Sequence, residues 1–186
     1  MKNYLHSFDL LSDEEIDLVL RVGIEKKLGK NDFLIREGQV CKEVAFVQSG
    51  FFRSFYYNAS GEETTYCFSF SGAFITAYSS LLTQEKTIEN IYAMTDAVVF
   101  SIPRKEIIKL EQQSSNWLRL IKQLAEQEYL KMEQRVFLLK ESAEFRYNDL
   151  LLHHPEYLQQ IPLHQLASFL GITQRHLSRI RSLYRN

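Results

Sequence analysis

LASFLGITQRHLSRIR, residues 166–181, is the stretch on which the reading of this chain turns. Leu166, Ala167, Leu170, Ile172, Leu177 and Ile180 supply the apolar positions of two short helices, and Gly171 between them permits a tight turn. Thr173 offers a side-chain oxygen to cap a second helix beginning at Gln174, and the small Ala167 lets the two helices approach. This is the spacing of a helix-turn-helix. With Leu177 and Ile180 turned to a core, the opposite face of the second helix presents Gln174, Arg175, Ser178, Arg179 and Arg181. A recognition helix reads base edges through its first turns. Arg175 and Arg179 stand one helical turn apart and point into one groove, where bidentate pairing of Arg with guanine is the commonest specific contact, and Gln174 can pair with adenine. Thr173, Arg181 and Arg185 are expected on phosphates, fixing register without reading sequence. For His164 and His176 a solvated or packed role is expected.

The charge distribution points the same way. The chain of 186 residues has a formal net charge of −1, yet residues 161–186 hold four arginines and no acid, which leaves 18 basic against 23 acidic side chains in the rest. A local polyanion-binding element on a body that repels polyanions fits this split. A composition of 45% hydrophobic and 24% charged residues describes an ordinary globular chain of one or two domains. The opening MKNYLHSFDLLSDEE reaches acidic residues before any apolar run, and no later stretch approaches the ~18 apolar residues of a membrane span, so a cytoplasmic protein with no membrane partner is expected. Cys41 and Cys67 lack metal-ligand spacing, so neither metal, disulfide nor other cofactor is implied. Asp, Glu, His and Ser are scattered without a nucleophile elbow or phosphate loop, which argues against an enzyme.

From Phe33 to about Ile102 the chain reads as short aromatic and β-branched strands. They are punctuated by Gly38, Gly50, Gly61 and Gly72 at separations of 12, 11 and 11 residues, the turn spacing of a compact β-sandwich or roll. In YCFSF, Tyr66, Phe68 and Phe70 are expected on one face and Cys67 and Ser69 on the other. TIENIYAM and AVVFSI read as later strands, with Thr95 and Asp96 turning between them. Ahead of the roll, Ser12 and Glu15 match a capping box, with Ile16, Val19 and Leu20 on one helical face. After Pro103 the period changes, and residues 116–140 contain neither glycine nor proline. Leu118, Ile121, Ala125, Met132 and Leu139 fall near heptad seam positions of a helix of about seven turns, interrupted by Glu128 and Arg135. A partner copy of the same helix would cover that stripe. The alternative is a helix lying across its own roll.

Beyond it, SAEFRYNDLLLHHPEYLQQ predicts a helix that breaks near Pro155, followed by LHQLASFLG. With IREGQ at residues 35–39, VQSG at 47–50, the long helix and the helix-turn-helix, the chain resembles the CRP/FNR-type (cyclic AMP receptor-like) transcription regulators over nearly its full length. The resemblance implies an α+β protein with an N-terminal double-stranded β-roll sensor of the cyclic-nucleotide-binding type over residues 1–115. A dimerisation helix at 116–140 and a helix-turn-helix domain at 141–186, lacking much of the family's wing, complete it. The partners implied are a second copy, double-stranded DNA carrying a palindromic operator, RNA polymerase and an unidentified small-molecule effector.

Departures from the family pattern bear on that effector. Cyclic-nucleotide members carry a cassette with a glutamate for the ribose and an arginine for the phosphate, whereas here Ala77 stands at the glutamate, Thr76 at the cassette glycine, and Thr87 with Ile88 at arginine-serine. Lys86 is the nearby cation, and without a bidentate arginine the strongest phosphate bonds are missing, so cyclic AMP is not the expected ligand. Thr76, Ala77, Tyr78, Ser79, Ser80, Lys86 and Thr87 are the candidate lining of a different polar pocket. The competing function is a protein-interaction or small-ligand module whose basic tail is incidental.

Overall fold

The computed structural model describes residues 1–184. In chain order the elements are α1 (Lys2–His6), α2 (Asp13–Val22), β1 (Ile24–Leu28), β2 (Phe33–Ile35), β3 (Glu43–Ser49), β4 (Phe52–Tyr57), β5 (Glu63–Ser69) and β6 (Phe74–Ile75). Then follow α3 (Tyr78–Thr83), β7 (Asn90–Ala93), β8 (Ala97–Pro103), α4 (Arg104–Gln113), α5 (Ser115–Leu138), α6 (Ala143–His153), α7 (Pro155–Gln160), α8 (Leu163–Leu170) and α9 (Gln174–Leu183). By their contacts they form two compact units. The first comprises Met1–Tyr56 and Cys67–Ala125, the second Tyr57–Tyr66 and Glu126–Asn186. The division therefore differs from a contiguous split at residues 115 and 140: the long helix is shared between the units, and the tip of the β4–β5 hairpin groups with the helical unit.

The roll consists of two four-stranded sheets, in the orders β1-β8-β3-β6 and β2-β7-β4-β5. Ala45, Val47, Phe52, Ile75, Ala77, Ile91, Ala93 and Val99 fill its interior, all fully or nearly buried. Strand β1 was not anticipated from the sequence. IEKKL has no apolar alternation, and Ile24 stays exposed; backbone pairing along β8, from Ile24 opposite Ser101 to Leu28 opposite Ala97, holds it together with Leu28 on the core and an ion pair from Lys26 to Glu43. The alternation expected in YCFSF is also imperfect, because Phe68 and Ser69 are both buried and the strand has no wholly wet face. Turn glycines behave as the spacing implies. Gly50 has φ +78°, and a Cβ there would lie 2.6 Å from the Asp96 carbonyl oxygen and 2.7 Å from the Ala97 Cβ, so β3 and β4 can turn only with glycine.

A second core joins the helices that flank the roll: Leu5, Ile16, Val19, Ile102, Leu110, Trp117 and Leu120. Its polar seal is Glu15. Ser12 and Glu15 form the expected reciprocal capping box. The same carboxylate accepts hydrogen bonds from the Ser114 hydroxyl and from Asn116 at the start of α5. Cys41 is buried and Cys67 half-buried, and both are thiols.

Burial would raise the Glu15 carboxyl, but the hydrogen bonds from Ser114, the Ser12 amide and Asn116 outweigh it and hold the group below the usual carboxylate range. A depressed folded-state value contributes stability that is present above the ordinary glutamate range and is lost as pH falls through the lowered value. Glu15→Ala is expected to cost roughly 1–2 kcal/mol in denaturant unfolding at pH 7, the worth of a cap and its bonds. The difference between wild type and Glu15→Gln should shrink as pH falls below about 4, near the reference glutamate value.

Candidate nucleic-acid interface and effector pocket

The two helices and the turn expected over residues 166–181 form as their sequence dictates. Gly171 ends α8 in the left-handed region at φ +68°, and the Thr173 hydroxyl caps α9 by accepting the His176 amide at 3.2 Å. Leu166, Leu170, Leu177 and Ile180 interlock with at most 2% exposure, so the rotation of α9 about its axis is fixed by its own apolar side. Gln174, Arg175, Ser178 and Arg179 consequently lie on the exposed side together, while Arg181 is half-buried. Among the described residues α9 carries no acid, and Glu144 of α6 stands 3.7 Å from His176 Nε2. Arg185 lies outside the described residues. His164 is exposed.

Helix α5 spans Ser115–Leu138, within two residues of the expected range. Trp117 and Leu120 are buried, whereas Leu118, Met132 and Leu139 are exposed and Ile121 and Ala125 are half-buried. Exposed Tyr129 and Val136 complete the row, which at 100° per residue keeps all seven side chains within an arc of about 80°. The strict heptad reading had placed Glu128 and Arg135 in this seam. A straight helix drifts from a 3.5-residue repeat, so the stripe passes to Tyr129 and Val136, one residue on from the charges. Arg135 is used elsewhere: its guanidinium donates to the Phe169 carbonyl and stacks on that ring at 3.7 Å.

The residues proposed as an effector pocket do not converge on one cavity. A cavity of about 460 Å³ in the roll is lined by Leu34, Ile35, Gln39, Val40, Cys41, Lys42, Glu43, Thr76 and Ala77, and takes only the first two of the seven candidates. Tyr78 and Ser79 point outward on α3, Lys86 is exposed, and Ser80 and Thr87 are buried. Neighbours along the cassette diverge because α3 is a helix, which distributes successive side chains around its axis. Their hydroxyls are also committed. Thr76 donates to the Glu43 carbonyl, Thr87 accepts the Glu89 amide, and Ser80 accepts the Cys41 amide and donates to the Glu85 carbonyl. Gln84 at the end of α3 donates to the carbonyls of Cys41, Ser80 and Leu81, and Arg104 Nε reaches Leu81 as well. The lining contributed by the β2–β3 connection, Gln39 to Lys42, was invisible to sequence reasoning because it lies far from the cassette along the chain.

Comparison with known proteins places this geometry. Residues 25–114 match the cyclic nucleotide-binding domain family. No curated protein sequence matches the chain at a significant level. Among solved structures, FixK2 from Bradyrhizobium japonicum superposes with a TM-score of 0.76 at 19% identity, over 87% of this chain and 84% of its own. A chain from Eubacterium rectale assigned to the CRP/FNR family of transcriptional regulators gives 0.77 at 16% identity, over 98% and 88%. The c-di-GMP-responsive global regulator CLP of Xanthomonas campestris gives 0.74 at 16%, over 94% and 92%. The resemblance read from the sequence thus holds in three dimensions: this chain shares the fold of the CRP/FNR-type regulators, built around a segment that matches the cyclic nucleotide-binding domain family.

Proposed function

We propose that the protein is a homodimeric, sequence-specific DNA-binding transcription regulator of the CRP/FNR type, whose roll responds to something other than cyclic AMP. The observation that carries this reading is the exposed row Gln174, Arg175, Ser178 and Arg179 on a helix whose opposite side is locked by Leu177 and Ile180. Arg175 and Arg179 supply the base contacts, Thr173 and Arg181 the phosphate contacts, and the negative remainder of the chain limits binding elsewhere on its surface. An incidental basic tail would not require α9 to hold one rotation. Selection of bound fragments from genomic DNA by the purified protein, followed by mobility shifts on the recovered sites, tests the proposal. Arg179→Ala should cost about 1–3 kcal/mol and relax preference at one base position, whereas Arg181→Ala should weaken all sequences alike and flatten the salt slope by about one phosphate's share. Unchanged affinity and base preference in Arg179→Ala would show that another face meets DNA.

The stripe from Leu118 through Leu139 is the dimer contact in this reading. Seven side chains in one arc of a single helix match a second copy of themselves, and a two-fold axis makes the operator a palindrome with half-sites about one helical turn apart. Replacing Ile121 and Met132 together with glutamate should yield monomers in sedimentation and abolish tight operator binding. Retention of the dimer mass would exclude this helix as the interface.

For the effector, the support is chemical. Cyclic AMP would meet Ala77, which is fully buried and cannot hold a ribose hydroxyl, and an exposed Lys86 in place of a bidentate arginine. Each missing charge-assisted bond removes about 1.5–3 kcal/mol, so the loss of about two takes a micromolar site to roughly millimolar. Calorimetry with cyclic AMP and cyclic GMP should therefore show no binding heat at micromolar ligand, and operator affinity should be indifferent to both. Tight binding that survives Lys86→Ala would reverse this assignment.

A further inference from the structure

In the sheet order β2-β7-β4-β5, strand β5 is the last strand. Two of its backbone groups, the Thr65 amide and the Glu63 carbonyl, are spaced as residues i and i+2, so they point the same way. Both are taken by one atom. The Thr65 N–H donates to Ser168 Oγ at 2.9 Å, and the Ser168 hydroxyl donates to the Glu63 carbonyl at 3.1 Å. A serine within a helix ordinarily turns its hydroxyl back to its own backbone or to water. Here the hydroxyl of α8 stands in for the next strand of a sheet, with its donor and an acceptor lone pair both used across more than a hundred residues of chain.

The partner segment is stiff. Asn58 accepts the amides of Ser60 and Glu62 through its side chain, and its own amide donates to the Glu62 carbonyl at 2.9 Å. Thr65 is 2% exposed. On the next residue of α8, Phe169 takes the guanidinium of Arg135 on both its carbonyl and its ring. Two adjacent residues thus pin α8 from two elements of the helical unit. Since α8 is packed onto α9 through Leu166, Leu170, Leu177 and Ile180, whatever fixes α8 fixes the reading helix. The exposed row on α9 stays open while these bonds are made, so the contact holds the reading face in place and does not mask it.

We infer that Ser168 is a positioning residue for DNA recognition, a clasp through which the β4–β5 hairpin sets the placement of the helix-turn-helix and hence the half-site spacing that the dimer accepts. The inference rests on the DNA-binding reading, and its test separates the two. In the full-length protein, Ser168→Ala should raise the exchange rate of the Thr65 amide at least tenfold while leaving the thermal midpoint of the whole chain within the error of wild type. It should also narrow discrimination between the selected operator and versions with one base pair inserted or deleted at the centre, from tenfold or more to two- or threefold. Ser168→Thr keeps the hydroxyl and should restore both readouts. Unchanged Thr65 exchange in Ser168→Ala, or faster exchange with spacing discrimination intact, would overturn the positioning role. Failure of the wild type to bind any selected site would overturn it together with the regulator reading, and a protected Thr65 amide in that protein would locate the failure in the reading and not in the contact.

Discussion

Helix α5 is asked to be three things at once, and the rest of the structure follows from how its faces are shared. One side buries Trp117 and Leu120 against α1, α2 and α4, another spends Arg135 on Phe169, and a third leaves an unbroken apolar row in water. A 24-residue helix buries little of itself if it lies against one neighbour along a single line. Separating the three tasks around the helix axis lets each element meet its own part without competing for side chains. The row is the remainder of that division, and contiguous exposed apolar surface of this kind marks a site of interaction.

The legible parts of the sequence were those in which side-chain period alone fixes structure. Gly171, Thr173, Leu177 and Ile180 specify a turn, a cap and a buried face within ten residues, and the folded chain uses each of them as its chemistry suggests. The Ser12–Glu15 box belongs to the same class. What escaped is governed by contacts distant along the chain. Strand β1 exists through backbone pairing with β8 and through the Lys26–Glu43 ion pair to β3, neither of which shows in the pattern of IEKKL. The heptad template mistook Glu128 and Arg135 for faults in a seam because it imposes a supercoil's period on a helix that is free to drift. Of the residues read as a pocket, Tyr78, Ser79 and Ser80 face different ways because α3 is a helix, which sequence nearness alone does not show.

The segment around α3 satisfies its own polar groups. In a site that holds a phosphate, helix-terminal amides and hydroxyls are left for the guest to satisfy. Here Ser80, Gln84 and Arg104 bond the backbone of the β2–β3 connection and α3, Thr76 donates to the Glu43 carbonyl, and Thr87 accepts the Glu89 amide. A polar guest entering among them would have to break bonds already made, and would gain only the small difference between equivalent partners. The cavity beside Cys41 combines apolar Leu34, Ile35, Val40 and Ala77 with polar Gln39, Lys42, Glu43 and Thr76. Rewriting the cassette therefore does more than delete a glutamate and an arginine. It also leaves the hydroxyls of Thr76, Ser80 and Thr87 bonded to the protein's own backbone.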